Sequence, residues 1–234
     1  MRYQAVIDPS NKNNSHSLTI DFIAEQFSGQ ALDILDVGCS AGYLGEYLRE
    51  QGHHVTGLDI TPEAIEIAKA FLNEAYCMKV EEFFTEHPKR RFDVIIFGDV
   101  LEHVTNAEEV LKQSAAALKP RGKVIASIPN VAHVAVRAML LGGRWDYADL
   151  GLLDRDHVRF FTARSIDKLF TDSGYEICET GTTNLSEQAV AELCQMTLDD
   201  RCILAAQQLA LQDKRATVFQ YVVKAQPLSE QPRV

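Results

Sequence analysis

Short apolar runs alternate with segments of helical hydrophobic spacing along most of this chain. A first helix is predicted from about residue 17, because Ile20, Ile23, Ala24 and Phe27 recur at helical spacing. Beyond it the pattern predicts strands at about 32–37, 54–58, 76–80, 92–97 and 123–128, with helices at about 42–51, 61–73 and 106–118. Strands that alternate with helices in this way predict a parallel sheet with right-handed crossovers.

The pattern becomes less regular after Pro129. It predicts a helix at about 131–141, a loop over 144–161, a helix at about 163–173 and two last strands at about 174–178 and 216–224. Between these strands a helix is predicted over 186–211, with a buried side formed by Leu193, Met196, Ile203, Leu204 and Leu211. So long an insertion leaves three roles open: covering a site, extending the core or forming a homodimer contact.

Length and composition favour one folded domain. The 234 residues are 46% hydrophobic, which is enough for a single substantial core. We therefore expect a polar N-terminal arm over 1–16, one α/β domain over 17–226 that contains the helical insertion, and a flexible tail over 227–234.

Charge and cysteine usage argue against several classes of function. A net charge of −10 disfavours a nucleic-acid surface, which needs clustered Lys and Arg. The five cysteines form no Cys-x-x-Cys pair, so we expect buried reduced thiols and no metal site. No segment approaches the roughly 20 apolar residues of a membrane span, and the N-terminus lacks the apolar core of a signal peptide. The expectation is a cytoplasmic protein without a membrane partner.

One glycine-rich segment carries most of the chemical information, Ile34-Leu-Asp-Val-Gly-Cys-Ser-Ala-Gly-Tyr-Leu-Gly45. It predicts a buried strand that ends in a tight turn and leads into a helix, where backbone N–H groups can close around a ligand. Asp59 ends the next strand, where a carboxylate can bind both hydroxyls of a ribose. The pattern indicates a nucleoside-type cofactor. A nicotinamide fingerprint would need glycine at 38, 40 and 43, and only Gly38 fits.

Four segments share their pattern with a known family. They are LDVGCSAGYLG, the strand end VTGLD, FDVIIFGDVLEHV and LKPRGKVIASIPN. In them the chain resembles the class I S-adenosylmethionine-dependent methyltransferases, over about residues 15–181. The resemblance implies S-adenosylmethionine as cofactor and a Rossmann-like three-layer sandwich with a mostly parallel seven-stranded sheet.

The resemblance also implies where the cofactor lies. The methionine end would be lined by the first turn and bordered on its other side by Gly98 and Asp99, while Asp59 would accept hydrogen bonds from the ribose and Ile60 would pack on the adenine. Two departures stand out: Ser40 replaces a common glycine, and Lys79-Val-Glu-Glu82 lacks the Asp that follows the third strand in the family. The implied cofactor-binding residues are Asp36, Gly38, Cys39, Ser40, Gly42, Asp59, Ile60, Val80, Glu81, Gly98 and Asp99.

The loop from Gly143 to Phe161 is the predicted acceptor side, because it gathers a histidine, arginines, acids and aromatic residues outside the sheet pattern. His157 is the candidate general base, and the alternative is that His157 and Arg159 only fix the loop. Asn130 either orients an acceptor or forms a turn, and Arg137 and Arg159 are further candidates for positioning the acceptor. His103 is expected to cap a helix or border the cofactor. Ser15-His16-Ser17 is read as a lid over the cofactor or as a helix cap.

Taken together, these observations predict a methyltransferase that acts on a small-molecule or sugar acceptor, with oxygen as the expected acceptor atom and His157, Asn130 and Arg159 as catalytic residues. No base is obligatory unless the acceptor is an oxygen, because alignment alone supplies much of the rate. A catalytically silent accessory protein of the same fold is the alternative.

Overall fold

Seven strands form one sheet in the computed structural model, which describes residues 7–228. In chain order they are β1 Asp33–Val37, β2 His54–Asp59, β3 Glu74–Cys77, β4 Phe92–Gly98, β5 Leu118–Pro129, β6 Tyr175–Asn184 and β7 Val218–Pro227. Their spatial order is β3-β2-β1-β4-β5-β7-β6. The first five strands pair in parallel, and β7 runs antiparallel to both of its neighbours. The predicted mostly parallel seven-stranded sheet is therefore confirmed.

Nine helices surround this sheet within residues 7–228. They are α1 Ser15–Gln26, α2 Tyr43–Glu50, α3 Pro62–Ala68, α4 Val80–Glu86, α5 Ala107–Ala117, α6 Val134–Leu141, α7 Ala163–Asp172, α8 Glu187–Leu193 and α9 Asp200–Ala210. Successive strand residues point to opposite faces. Ile34 and Ile96 pack with α1, α2 and α3, whereas Leu35 and Phe97 pack with α4, α5 and α7. Helices cover both faces, which confirms the three-layer architecture.

Several predicted elements differ from the structure, and β5 and β6 are both longer than predicted. The helix expected to reach residue 73 ends at Ala68, and Asn73 instead accepts a hydrogen bond from the Val55 N–H at 2.8 Å through its side chain. The strand expected at about 76–80 lies at Glu74–Cys77, and the helix α4 that follows was not predicted. The first helix begins at Ser15 with Asn14 as its N-cap, so Ser15-His16-Ser17 lies inside its first turn.

The insertion is two helices rather than one. It breaks between α8 and α9, where Gln195 takes a φ of 52° and Asp199 caps the new helix. Of the predicted buried side, Met196 is buried and Ile203 is half-buried, whereas Leu193, Leu204 and Leu211 are exposed, so that part of the prediction was wrong. The other buried positions are Val190, Cys194 and Ala206.

The two helices of the insertion pack on α6 and on the loop that follows it. Val190, Cys194 and Met196 form a satellite core with Met139 and Leu153. The insertion thus extends the core beside the carboxyl ends of the strands.

The ends of the chain differ from expectation at two points. Pro227 belongs to β7, and the Leu228 N–H bonds to the Gly174 carbonyl, so the start of the predicted flexible tail is ordered. The rest of that tail, and the first six residues of the predicted arm, lie outside the described residues. Over residues 7–228 no helix has the length and apolar character that crossing a bilayer requires.

Candidate active site

The turn between β1 and α2 closes against the end of β2. The N–H groups of Gly38 and Cys39 both donate to the Leu58 carbonyl, at 2.8 and 2.9 Å. Gly38 has a φ of 73°, and a Cβ added there would lie 2.5 Å from Val100 Cγ2. Gly42, with a φ of 86°, starts α2. Both glycines are therefore required by local geometry, as the turn pattern predicted.

Ser40 and Asp59 join this turn to the second strand. The Ser40 N–H donates to Asp59 Oδ2 at 2.9 Å, and the Thr61 N–H donates to Asp59 Oδ1 at 2.8 Å. Each carboxylate oxygen retains a second lone pair, so Asp59 can still accept bonds from two ribose hydroxyls. Ser40 takes a φ of 50°, in the left-handed region that glycine adopts most readily. Ile60 follows with 70% of its surface exposed, available to pack on a flat apolar ring.

Asp36 and Cys39 lie deeper in the same turn. Asp36 is buried at the end of β1, and burial, with a smaller contribution from the charge of Asp59, raises its pKa to about 7. Burial also raises the pKa of the Cys39 thiol, so that side chain belongs to the core and only its backbone faces the turn.

Asp99 occupies the opposite wall of the cleft, just after β4. It takes a φ of 53°, and its Oδ1 accepts bonds from Ser127 Oγ at 3.0 Å and from Gln220 Nε2 at 2.7 Å. Burial raises its pKa to about 6, although the Ser127 and Gln220 bonds act in the opposite direction. Before it, Gly98 has open space around the position of a Cβ.

Val80 and Glu81 begin α4, beyond the end of β3. The Val80 side chain is buried in the core formed with Phe83 and Leu58. An adenine contact at this position would therefore involve its backbone, and Glu81 stands half-buried beside it.

The acceptor-side loop is joined to the turn after β4. The backbone carbonyl of Glu102 accepts hydrogen bonds from the N–H groups of Val158 and Arg159, at 2.9 and 3.1 Å. The Asp156 carbonyl lies 3.0 Å from His103 Nδ1. The His157 ring lies 4.8 Å from the His103 ring, between centroids. Burial, and secondarily the neighbouring His103, lowers the pKa of His157, which favours the neutral imidazole.

Aromatic side chains line the same region. Phe160 lies 6.1 Å from His157 and 5.2 Å from Trp145, between ring centroids, and Tyr147 stands 6.4 Å from Phe160. His157 therefore has both the Phe160 ring and the His103 ring as neighbours.

The other proposed acceptor residues already have structural partners. Asn130 is buried, donates to the Val218 carbonyl at 2.8 Å and accepts from the Ala132 N–H at 3.1 Å. Arg159 bonds the Thr105 carbonyl and Glu108, and Arg137 bonds the Ala132 carbonyl and Asp213. These contacts favour the structural alternative at each position.

Three polar residues were not singled out from the sequence as members of the site: Ser127, Gln220 and Glu102. Gln220 is a polar residue in the apolar run of β7, a visible signal, but its contact with Asp99 depends on antiparallel pairing. Glu102 is buried, and neither of its carboxylate oxygens has a hydrogen-bond partner within residues 7–228. Burial, with the charge of Asp99 as a smaller contribution, raises its pKa well above the ordinary value.

The cleft suits a cationic nucleoside. Asp36, Asp59 and Asp99 contribute three carboxylates, Gly98 has open space beside its backbone, and Ile60 offers an apolar surface. A sulfonium beside an adenosine matches this combination of negative charge, ribose acceptor and apolar contact.

Comparison with known proteins identifies the family of this chain. Residues 11–180 match the methyltransferase domain family, and the chain therefore belongs to it. It is an S-adenosylmethionine-dependent methyltransferase.

Its similarity to individual proteins is modest. It is 28% identical over 165 residues to a ubiquinone biosynthesis O-methyltransferase of Coxiella burnetii, which covers 68% of this chain and 70% of the relative. A SAM-dependent methyltransferase from Archaeoglobus fulgidus shares the fold with a TM-score of 0.63 at 16% identity, over 90% of this chain and 93% of that one. The 1,6-didemethyltoxoflavin-N1-methyltransferase of Burkholderia thailandensis, solved with that small molecule bound, has a TM-score of 0.59 at 16% identity, covering 95% and 80%.

Proposed function

We propose that this chain methylates a hydroxyl group on a small molecule or sugar, with His157 as general base. The position of His157 carries the proposal: a neutral imidazole stands on the acceptor-side loop, which is bonded to the turn that follows Asp99. The O-methyltransferase name of the Coxiella burnetii relative also supports an oxygen acceptor.

The chain's own residues would divide the work. When bound, the cofactor supplies an electrophilic methyl group on a sulfonium. Asp36, Gly38, Cys39, Ser40 and Gly42 hold its methionine end with Gly98 and Asp99 opposite, Asp59 holds the ribose, and Ile60, Val80 and Glu81 border the adenine. His157 would take the proton of the acceptor hydroxyl as its oxygen accepts the methyl group.

Asn130 and Arg159 enter the proposal as positioning residues. Asn130 ties the end of β5 to β7, and Arg159 ties the acceptor-side loop, which carries His157, to α5. Positioning of this kind accounts for much of the rate in a displacement that needs in-line alignment. A cytoplasmic location and a homodimer stay predictions.

The base role can be tested with two acceptors that differ in acidity. We expect His157→Ala to lose about 10²- to 10⁴-fold in turnover with catechol, because a positioned base is worth that much. A nitrocatechol is largely ionised at neutral pH, so its loss should be much smaller. Methyl release from labelled S-adenosylmethionine measures both rates.

Two controls complete that experiment. His54→Ala, at the opposite end of β2, should leave both rates unchanged. Calorimetry should show intact cofactor binding in His157→Ala. Equal losses with the two acceptors, or full turnover of catechol, would exclude His157 as the base. Binding of cofactor with no turnover of any hydroxyl acceptor would contradict the proposed oxygen acceptor.

A further inference from the structure

Glu102, His103 and His157 bring three metal-ligating side chains together on the acceptor side of the cleft. One ligand atom from each lies within 4.8 Å of the other two. Two come from the turn after β4 and one from the acceptor-side loop, so their sequence spacing shows no metal pattern. The expectation of no metal site is based on cysteine spacing alone, and cysteine spacing says nothing about a site formed by glutamate and histidine side chains.

Glu102 is the least compensated group of the three. Its carboxylate is 1% exposed, and within residues 7–228 neither oxygen accepts a hydrogen bond. Asp99 and Asp154 lie close enough to act on it electrostatically. A buried carboxylate without a partner is costly, and a divalent cation would supply the missing partner.

One of the two imidazoles already has the orientation that is usual for a ligand. His103 Nδ1 lies 3.0 Å from the Asp156 carbonyl, and the His157 ring is next to it, 4.8 Å away between ring centroids. An imidazole that donates one N–H to a backbone carbonyl presents a lone pair at its other nitrogen, and metal-ligating histidines commonly have this arrangement.

We propose that Glu102, His103 and His157 form a binding site for Zn²⁺, and that its occupancy inhibits methyl transfer by taking the lone pair of His157. The inhibitory effect rests on the proposed function of His157, whereas binding does not. Two imidazoles and one carboxylate favour Zn²⁺ over Mg²⁺, which prefers oxygen ligands. Ligand atoms that share one zinc ion lie roughly 3.3 Å apart. Side-chain rotations that move each ligand atom by about 1 Å would therefore bring all three within bonding distance of one ion.

Binding is tested on the full chain without any acceptor. Titration with zinc chloride should show one site, and Co²⁺ in its place should give visible ligand-field absorption. The background is Cys77→Ser with Cys178→Ser, because both thiols are exposed and could bind zinc themselves. Magnesium chloride should neither bind there nor displace zinc.

Two conservative variants assign the site. Glu102→Gln keeps the shape of a side chain whose oxygens have no partner to lose, and His103→Asn keeps a donor toward the Asp156 carbonyl while removing the second ring nitrogen. Each should weaken zinc at least about 100-fold, and neither should alter S-adenosylmethionine affinity. Zinc affinity that is unchanged in both variants, or no binding at the wild-type site, would overturn the proposal.

Inhibition is measured separately. Zinc should reduce catechol methylation in the wild-type enzyme, whereas the His103→Asn enzyme should keep its own zinc-free rate at the same zinc concentration. Turnover that rises with zinc would overturn the inhibitory assignment. If the enzyme methylates no hydroxyl, the proposed function fails while the binding measurements still decide the site.

Discussion

At the scale of single residues, the cleft is defined by acids that the fold holds out of bulk water. Asp36 and Asp99 both have a raised pKa, chiefly because burial disfavours the charged carboxylate. Without a bound cation, such buried acids destabilise the protein. They become favourable partners once a cation lies between them. Acids that belong to separate motifs in the sequence are thus placed at neighbouring strand ends in the fold.

Asp36 provides the test at this scale. Its pKa is raised from 3.8 to about 7, so the unfolded chain releases its proton first, and its contribution to stability falls as pH rises between about 4 and 7. Asp36→Asn should remove this loss. Between pH 4 and pH 8, without cofactor, the free energy of unfolding of the variant should therefore rise on the order of 4 kcal/mol relative to that of wild type. Urea unfolding at several pH values measures it; a constant difference across that range would contradict the buried, protonated Asp36.

At the scale of elements, the first turn works because a strand, a glycine and a neighbouring strand approach closely. Gly38 lies against Val100, which follows β4, so the turn between β1 and α2 depends on an element more than 60 residues away. Space at this contact is as important as the positive φ.

Gly38→Ala separates the two requirements when compared with Gly52→Ala. Gly52 also has a positive φ, 92°, but its Cβ would meet nothing within 4 Å. Gly52→Ala should cost about 1–2 kcal/mol from backbone strain alone. Gly38→Ala should cost more, because Val100 must move, and should weaken S-adenosylmethionine at least about tenfold. Thermal unfolding and calorimetry measure both; equal stability losses with unchanged cofactor affinity would show that the contact with Val100 is unimportant.

At the scale of the whole molecule, a satellite core supports the acceptor-side loop. Val190 on α8 packs with Met139 on α6 and Leu153 in that loop, so the insertion holds the region in which His157 stands. Leu204, Leu209 and Leu211 point outward instead. The insertion therefore contributes to the fold through one face and leaves the other exposed.

Paired substitutions on the two faces should differ clearly. Val190→Ala should destabilise the protein by about 2 kcal/mol, since it removes fully buried methyl groups and leaves a cavity. Leu209→Gln should change stability by less than about 0.5 kcal/mol because the side chain is 73% exposed. Denaturant unfolding compares them, and size-exclusion chromatography of Leu209→Gln tests the predicted homodimer. A large loss in Leu209→Gln as a monomer would contradict the exposed placement.

The sequence by itself determined the order of the elements, the glycine turn and the acids at the ends of β1, β2 and β4. These are local: apolar runs, glycines and cap residues fix them through backbone geometry and hydrophobic period. The sequence-based prediction was wrong where a contact with another part of the fold, or a competing cap residue, ends a helix. Asn73 ends its segment by bonding β2, and the break before Asp199 follows from a cap that competes with helix continuation.

Only the tertiary structure decided which polar residues meet. Asn130, Arg137 and Arg159 carry suitable chemistry in sequence, yet their polar atoms are committed to neighbouring backbone and acids. Gln220 reaches Asp99, and His157 joins Glu102 and His103, across gaps of more than 50 residues. Local patterns specify strands and turns, whereas the convergence of distant side chains depends on strand pairing and loop packing, which no periodicity along the chain records.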